Sequence, residues 1–530
     1  MPGVSSFHRI LSRTARGGLA GVLAAFTALA VAELVAGAVR PAAGPVTVVG
    51  GAVIDRTPPA VKDFAIRTFG ENDKTVLQLG ILVILTVVAI GLGVLALSHR
   101  RVGTAGVLLF GLVGSAAALS RPDATGIGDA LPSIAGALAG ALALHVLASK
   151  AAPVPAPTGA GGQDDTEGWS RRGFLAAAGV TAVAAASAGA LGRFLTGRQG
   201  QGAVASRESV VLPAPASPAP AVPAGVQLKV AGISPFTTPD SVFYRVDTAL
   251  TVPKVDAGTW RLRIHGKGVT RPRAYTLDQL LARPLIERDI TLTCVSNEVG
   301  GPYIGNARWL GAPLADLLRE AGVRPPSQGG KADQLVARSV DGMTLGSPVE
   351  DVMDGRDAML AVGMNGEPLP FDHGFPVRML VPGLYGYVSA CKWITDIELT
   401  TFDAYDPYWV KRKWARRAPI KTQARIDTPK PFARPAAGAV TVAGVAWAQH
   451  RGITRVEVRI DDGPWQDADL APQAGVDTWR QWSYPWRATP GGHTVTVRAT
   501  DGTGQVQTEQ RARTIPDGAS GRHSVFVTVP

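Results

Sequence analysis

Cysteine is almost absent: Cys294 and Cys391 are the only two in 530 residues. Two cysteines exclude a disulfide framework, and with no CxxC or CxxCH the chain offers no zinc ribbon and no c-type haem attachment. There is no GxxxxGK[ST], so a nucleotide P-loop is not indicated. Charge is sparse, at 18% of residues, and unevenly placed. The net charge is +11, yet residues 226–530 carry only about half of it, the rest flanking hydrophobic segments. That distribution fits membrane topology better than a nucleic-acid partner.

Ala, Gly, Val and Leu dominate the first two hundred residues. Four apolar runs, Gly18–Val39, Val76–Leu97, Val102–Leu119 and Ala130–Ala148, are each near the ~20 residues a bilayer requires. Arg9, Arg13 and Arg16 precede the first run, His99, Arg100 and Arg101 separate the second from the third, and Lys150 follows the fourth. If every run spans, these flanks share one side, and the positive-inside rule makes it cytoplasmic. Residues 1–150 thus read as a four-helix transmembrane region and 151–169 as a cytoplasmic linker. Ser170-Arg171-Arg172-Gly173-Phe174-Leu175 then opens a mild Ala/Gly run over 170–195, similar to a twin-arginine export signal acting as an anchor. That reading predicts five spans, with everything after residue 195 outside. Residues 196–225, Pro/Ala-rich from Pro213 on, read as a tether, and Ala203-Val204-Ala205 is a cheap match to a signal-peptidase site.

From Val226 short strands alternate with short helices, the latter predicted at Tyr275–Leu281 and Pro313–Ala321. After Pro435 the pattern is all-β, with turn signals at Asp462-Gly463, Gly491-Gly492 and Asp501-Gly502. The spacing over 429–530 suggests an immunoglobulin-like sandwich, with Trp447, Trp465, Trp479, Trp482 and Trp486 filling its core.

Cys294 ends a β-type run in TLTCVSNEVGG, just before a polar, glycine-rich turn. Taken alone it is a small core residue, half of a disulfide with Cys391, or a ligand at a strand-to-loop junction. A second cluster is MNGEPLPFDHGFPVR, residues 364–378, followed by VPGLYG and Cys391-Lys392-Trp393. His373, Arg378 and Lys392 on glycine-rich turns are the donor set needed to hold a phosphate.

These blocks, with FYRVDTALTVPKVD at 243–256, GNARWLGAPLADLL at 305–318 and AWAQHRGITRVEVRIDDGPW at 446–465, resemble the sulfite oxidase family of molybdenum-pterin oxidoreductases. The resemblance covers roughly 235–530 and suggests a membrane-anchored bacterial member. It implies an α+β molybdopterin domain over 226–428, an immunoglobulin-like dimerisation domain over 429–530 and hence a possible homodimer. It implies a single pterin on molybdenum, with Cys294 as the thiolate ligand rather than a disulfide half. Phe243, Arg245, Asp247, Asp341, His373, Arg378 and Lys392 match pterin-holding positions, and Arg245, Trp309, Tyr408 and Arg451 match positions lining an oxyanion pocket. The family usually has Asn-His where Val246-Asp247 stand. Animal and plant members follow the cysteine with Ala-Gly-Asn-Arg-Arg; here Val295-Ser296-Asn297-Glu298-Val299 stands, so an arginine that helps bind sulfite is missing. The activity implied is oxygen-atom transfer: oxidation of sulfite or a related oxyanion, or reduction of a sulfoxide at the same centre. The alternative from another class is an anchored binding protein whose cofactor site has decayed. No haem domain is evident, so none is expected in this chain, and a separate cytochrome or quinone-linked partner is expected to take the electrons.

Overall fold

In the computed structural model the chain is described except for residues 1–2, 59–60, 62–63, 65–67, 70–72, 122–123, 125 and 152–165. Most of the expected linker, and the side chains of Arg9, Arg13 and Arg171, lie outside the described residues. The chain divides into two compact units, 1–202 with 249–251, and 203–248 with 252–530.

The first unit is helical. Among the described residues five helices are long and apolar enough to cross a membrane: Thr14–Val39, Lys74–Ala96, Arg100–Leu119, Ile127–Ala151 and Arg172–Glu208. They meet where small residues let backbones touch. A Cβ on Gly21 would lie 1.9 Å from the Ala89 carbonyl oxygen, and one on Gly136 would lie 2.4 Å from that of Ala28. Arg40 forks onto the buried Asp129 at 2.9 and 2.7 Å, which neutralises that carboxylate. The last helix continues to Glu208, so residues 196–208, expected in the tether, are helical. The Pro/Ala stretch beyond it is also tied down. Ala216 N–H donates to the Leu285 carbonyl at 2.8 Å, and Ser217 pairs with Ile286. Backbone pairing to a sheet edge needs no apolar side chains, so composition does not reveal it.

The second unit holds all eighteen strands among the described residues. One mixed sheet joins β1 (Leu262–Gly266), β2 (Arg273–Tyr275), β5 (Gln334–Ser339), β6 (Thr344–Pro348) and β10 (Ile394–Thr400) in the order β2-β1-β10-β5-β6. A second runs β3 (Ile286–Thr293), β4 (Ile304–Pro313), β7 (Met359–Met364) and β8 (Glu367–Pro368), with β9 (Arg378–Leu380) paired to β7. Short helices Leu277–Leu281 and Leu314–Glu320 bury Leu280, Leu317 and Leu318 against these sheets. Thr276 and Gln279 cap the first reciprocally; Pro313 stands just before the second, ending β4.

The C-terminal part is two four-stranded antiparallel sheets around one apolar core. The first is β11 (Gln423–Thr428), β12 (Gly438–Trp447), β16 (Arg480–Ala488) and β15 (Asp469–Leu470). The second is β14 (Gln466–Asp467), β13 (Ile453–Ile460), β17 (Gly491–Asp501) and β18 (His523–Val529). β11 pairs with β12, so this layer begins before the residue 429 expected from sequence. Gly491-Gly492 is not a turn but the start of β17, with Phe526 covering Gly492. The tryptophans also divide. Trp482 and Trp486 fill this core, while Trp447 and Trp479 belong to the core of the preceding sheets. Trp465 instead lies beneath Arg459, Arg498 and Arg522, 4.3–5.1 Å from its ring, because three guanidiniums bury an indole face without apolar neighbours.

Candidate active site

β3 carries its Thr/Ile/Leu residues inward at its end, where Thr291, Leu292, Thr293 and Cys294 are all buried. Asn297 then shapes the turn: its side-chain oxygen accepts from Tyr303 N–H at 2.8 Å, while Cys294 N–H donates to the Tyr303 carbonyl. Ser296, two residues on, lies near enough to the Cys294 sulfur for its polar groups to favour the thiolate. Burial pushes the Cys294 thiol up, and the Ser296 donors and Lys392 oppose that shift. Both cysteines are free thiols, and Cys391 is likewise pushed up by burial.

The DHGFPVR and CKW segments are zipped together beside this strand end. Trp393 indole donates to the Phe371 carbonyl at 2.8 Å, and Met379 N–H to the Cys391 carbonyl at 2.9 Å. Gly374 has φ +110°, and a Cβ there would sit 3.0 Å from Lys392 Cα, so only glycine lets the two loops close. Lys392 ammonium donates to Asp247 at 2.7 Å and to the Asp372 carbonyl at 3.1 Å. Arg245 reaches Asp247 and Asp372, each at 3.0 Å. Burial pulls Lys392 down to about 8 against the opposing pull of Asp247. His373 donates from Nε2 to the Asp240 carbonyl at 3.1 Å; burial, aided by Arg378, holds it down to about 4, so it is neutral at pH 7.

Arg378 is the telling member. It is 6% exposed, its guanidinium lies 5.4 Å over the Trp309 ring, and its one side-chain hydrogen bond is a long 3.4 Å contact to the His373 carbonyl. Its Nε is buried without a partner. A buried cation left this way costs several kcal/mol unless an anion completes it. The buried Lys392 and Arg378, the latter with an unfilled Nε donor, suit a phosphate-bearing group, and a buried thiol at a strand end suits a metal thiolate. The residues therefore fit a molybdenum-pterin cofactor.

Phe243 edges both Trp309 (5.9 Å) and His373 (5.4 Å). The structure thus gathers Phe243, Arg245, Asp247, Cys294, Trp309, His373, Arg378 and Lys392. Trp309 is wholly buried with its indole on the Ile290 carbonyl, a floor beneath Arg378 rather than an exposed pocket wall. Asp341 lies one step away, its carboxylate accepting Met343 N–H and acting on Cys391. Arg451 donates from Nε to Asp501 and from Nη2 to the Ile420 carbonyl and Thr422 hydroxyl, just before β11. Tyr408 is half-buried, its ring against the Arg412 guanidinium at 3.5 Å. The sequence reading omitted the half-buried Tyr244 and the buried Tyr385, whose phenols are pushed up by burial first and by the nearby Cys294 sulfur in addition. Each stands within a quoted block, FYRVD and VPGLYG, so position could have found them. The exposed Glu298 takes the place of the missing arginine.

Residues 249–409 match the family model described as oxidoreductase molybdopterin binding domain. Mouse mitochondrial sulfite oxidase is 31% identical over 288 residues, covering 47% of this chain and 52% of that protein. Chicken sulfite oxidase is 32% identical over 292 residues, covering 47% and 62%. The chain thus spans about half the length of the mouse relative and somewhat more of the chicken one. The crystal structure of the sulfane dehydrogenase SoxCD from Paracoccus pantotrophus is 26% identical, with a TM-score of 0.49, covering 56% of this chain and 82% of that one. A buried strand-end cysteine beside a cationic cradle, within the matched domain, defines a molybdopterin-dependent oxidoreductase. The domain belongs to the sulfite oxidase family.

Proposed function

We propose that the protein is a membrane-anchored, extracytoplasmic enzyme that oxidises sulfite or a related small sulfur oxyanion by oxygen-atom transfer. The observation that supports this most directly is the buried, incompletely partnered Arg378 in the cradle beside Cys294. In this reading Cys294 is the single protein ligand of molybdenum. Arg378, Lys392 and His373 hold the pterin and its phosphate, with Arg245 and Asp247 fixing Lys392. Asp341 completes that set from the Cys391 side. The bound group supplies two-electron oxygen-atom exchange. The chain excludes water around Cys294, keeps Ser296 beside its sulfur, and presents Arg245, with Tyr408 further out, to a developing oxyanion.

The twin-arginine-type segment supports export of an already folded, cofactor-loaded domain, with five spans and the linker at 151–169 inside. The two-sheet C-terminal layer is read as an immunoglobulin-like module suited to homodimer formation. A separate cytochrome or quinone-linked protein takes the electrons one at a time. A sulfoxide-reducing reading is favoured by one observation: the groups flanking Cys294 include two phenols, Tyr244 and Tyr385, where a dianion would be served by a further cation.

Metal and pterin analysis of protein purified from a pterin-competent host decides the class: about one molybdenum per chain is expected, and none would sink it. Assays of sulfite oxidation and sulfoxide reduction with artificial electron carriers then choose the direction, sulfite oxidation being expected.

A further inference from the structure

A second cationic feature lies away from the cradle. Lys267 and Arg271 follow β1, Arg319 and Arg324 flank the end of helix Leu314–Glu320, and Lys331 follows the turn at 325–330; all five line one recess of about 570 Å³. Strand geometry separates it from the cradle. Leu399, opposite Gly266 at the β1 end, lies five residues along β10 from Ile394, which is about 17 Å.

The recess is built rather than a chance gathering of long side chains. Its three segments interlock through glycines. A Cβ on Gly322 would lie 1.9 Å from the Thr270 hydroxyl oxygen, and one on Gly330 would lie 1.9 Å from the Arg324 carbonyl. The Thr270 and Arg271 N–H groups both donate to the Ala321 carbonyl, at 3.1 and 3.0 Å, fixing the first segment on the second. Nearby carboxylates are already engaged: Asp316 with Arg319, Glu320 with Arg283, and Glu350 with Ser327. Among the described residues Lys267, Arg271, Arg324 and Lys331 have no ion-pair partner.

Exposed cations gathered around a concave, polar recess repel one another until an anion enters, and arginine forks match tetrahedral oxyanions. We infer that this recess binds a small ligand carrying at least two phosphate or sulfate groups, at a site separate from the catalytic centre. A single orthophosphate engages too few of the four unpaired cations to bind comparably, and the volume is that of an ordinary small-molecule site.

The test is isothermal titration of the full detergent-solubilised holoenzyme with inorganic pyrophosphate, tripolyphosphate, a disulfated disaccharide and orthophosphate. Pyrophosphate or the disulfated sugar should bind at least tenfold more tightly than orthophosphate, and their relative affinities tell phosphate from sulfate esters. The double variant Arg324→Glu with Lys331→Glu, both exposed positions, should weaken that binding at least tenfold while molybdenum content and dye-linked activity stay unchanged. Equal binding in the variant, or loss of binding in Lys392→Gln instead, would mean the anion enters the cofactor cradle and would overturn the inference. So would absence of binding at millimolar probe. Failure of the enzyme reading would appear as missing molybdenum with probe binding intact.

Discussion

Gln449 of the C-terminal layer donates its carboxamide to the Thr293 hydroxyl at 2.9 Å and to the Thr291 carbonyl at 3.0 Å, one and three residues before Cys294. The contact is not isolated. Trp479 N–H donates to the Thr291 hydroxyl at 2.7 Å, and Arg425 donates to the Gly301 carbonyl at 2.8 Å on the far side of the loop. The His523 ring also sits against Gly300, where a Cβ would lie 2.3 Å from it. The all-β layer is thus the buttress of the strand that ends in the candidate ligand.

Gln449→Ala should therefore affect the site at a distance. Removing its amide leaves a buried hydroxyl and carbonyl without their donor, at about 1–3 kcal/mol. The expected outcome is a lower unfolding midpoint together with reduced molybdenum retention in the folded protein, measured by chemical denaturation and metal analysis of the same preparation.

Arg378→Met separates cofactor binding from stability by opposite signs. The substitution removes a buried, under-partnered charge, so the cofactor-free protein should be as stable as the parent or more so. Pterin content should fall at least tenfold. A cofactor-free variant that is several kcal/mol less stable would assign Arg378 a structural task instead.

The two cysteines should part company. Cys294→Ser should abolish most oxygen-transfer turnover while leaving pterin bound in the Arg378–Lys392 cradle. Cys391→Ala, a small change in a buried position, should keep activity. Pterin fluorescence after acid release, beside molybdenum content and turnover, reads all three.

Acid should loosen the buttress through His523. Burial, with Arg425 adding repulsion, holds this imidazole down to about 4 from its ordinary 6.5, and its Nδ1 accepts Ile426 N–H at 3.0 Å. Between those values the unfolded chain binds more protons than the folded one, so stability rises with pH across the window and is lost as pH falls through it. The loss by pH 4 is on the order of 2–3 kcal/mol. His523→Asn, whose carboxamide oxygen replaces the acceptor, should flatten the dependence of the denaturation midpoint on pH from 7 to 4.5.

Local chemistry made much of this protein legible. Runs of Leu, Val and Ala long enough for a bilayer mark the helices wherever they lie, because length and hydropathy are properties of each segment. The glycines and prolines of MNGEPLPFDHGFPVR mark turns with His373 and Arg378 on them, because a turn is set by its own residues. The strand end and glycine-rich exit of Cys294 leave it open between core residue, disulfide half and ligand, and it is the resemblance carried by the longer blocks that singles it out. Whether that thiol comes near Lys392, Tyr244 and Tyr385 depends on segments drawn from across the second unit, and no local pattern encodes it. Arg451 and Trp309 show the same limit from the other side: their residue types suit an oxyanion pocket, yet packing commits one to Asp501 and buries the other beneath Arg378. Gln449 carries no local signal at all, since its partners lie more than 150 residues earlier. Sequence by itself determined which residues can bind, span or turn; the tertiary structure alone decided which of them share one buried site, because hydrogen bonds and desolvation act through space and not along the chain.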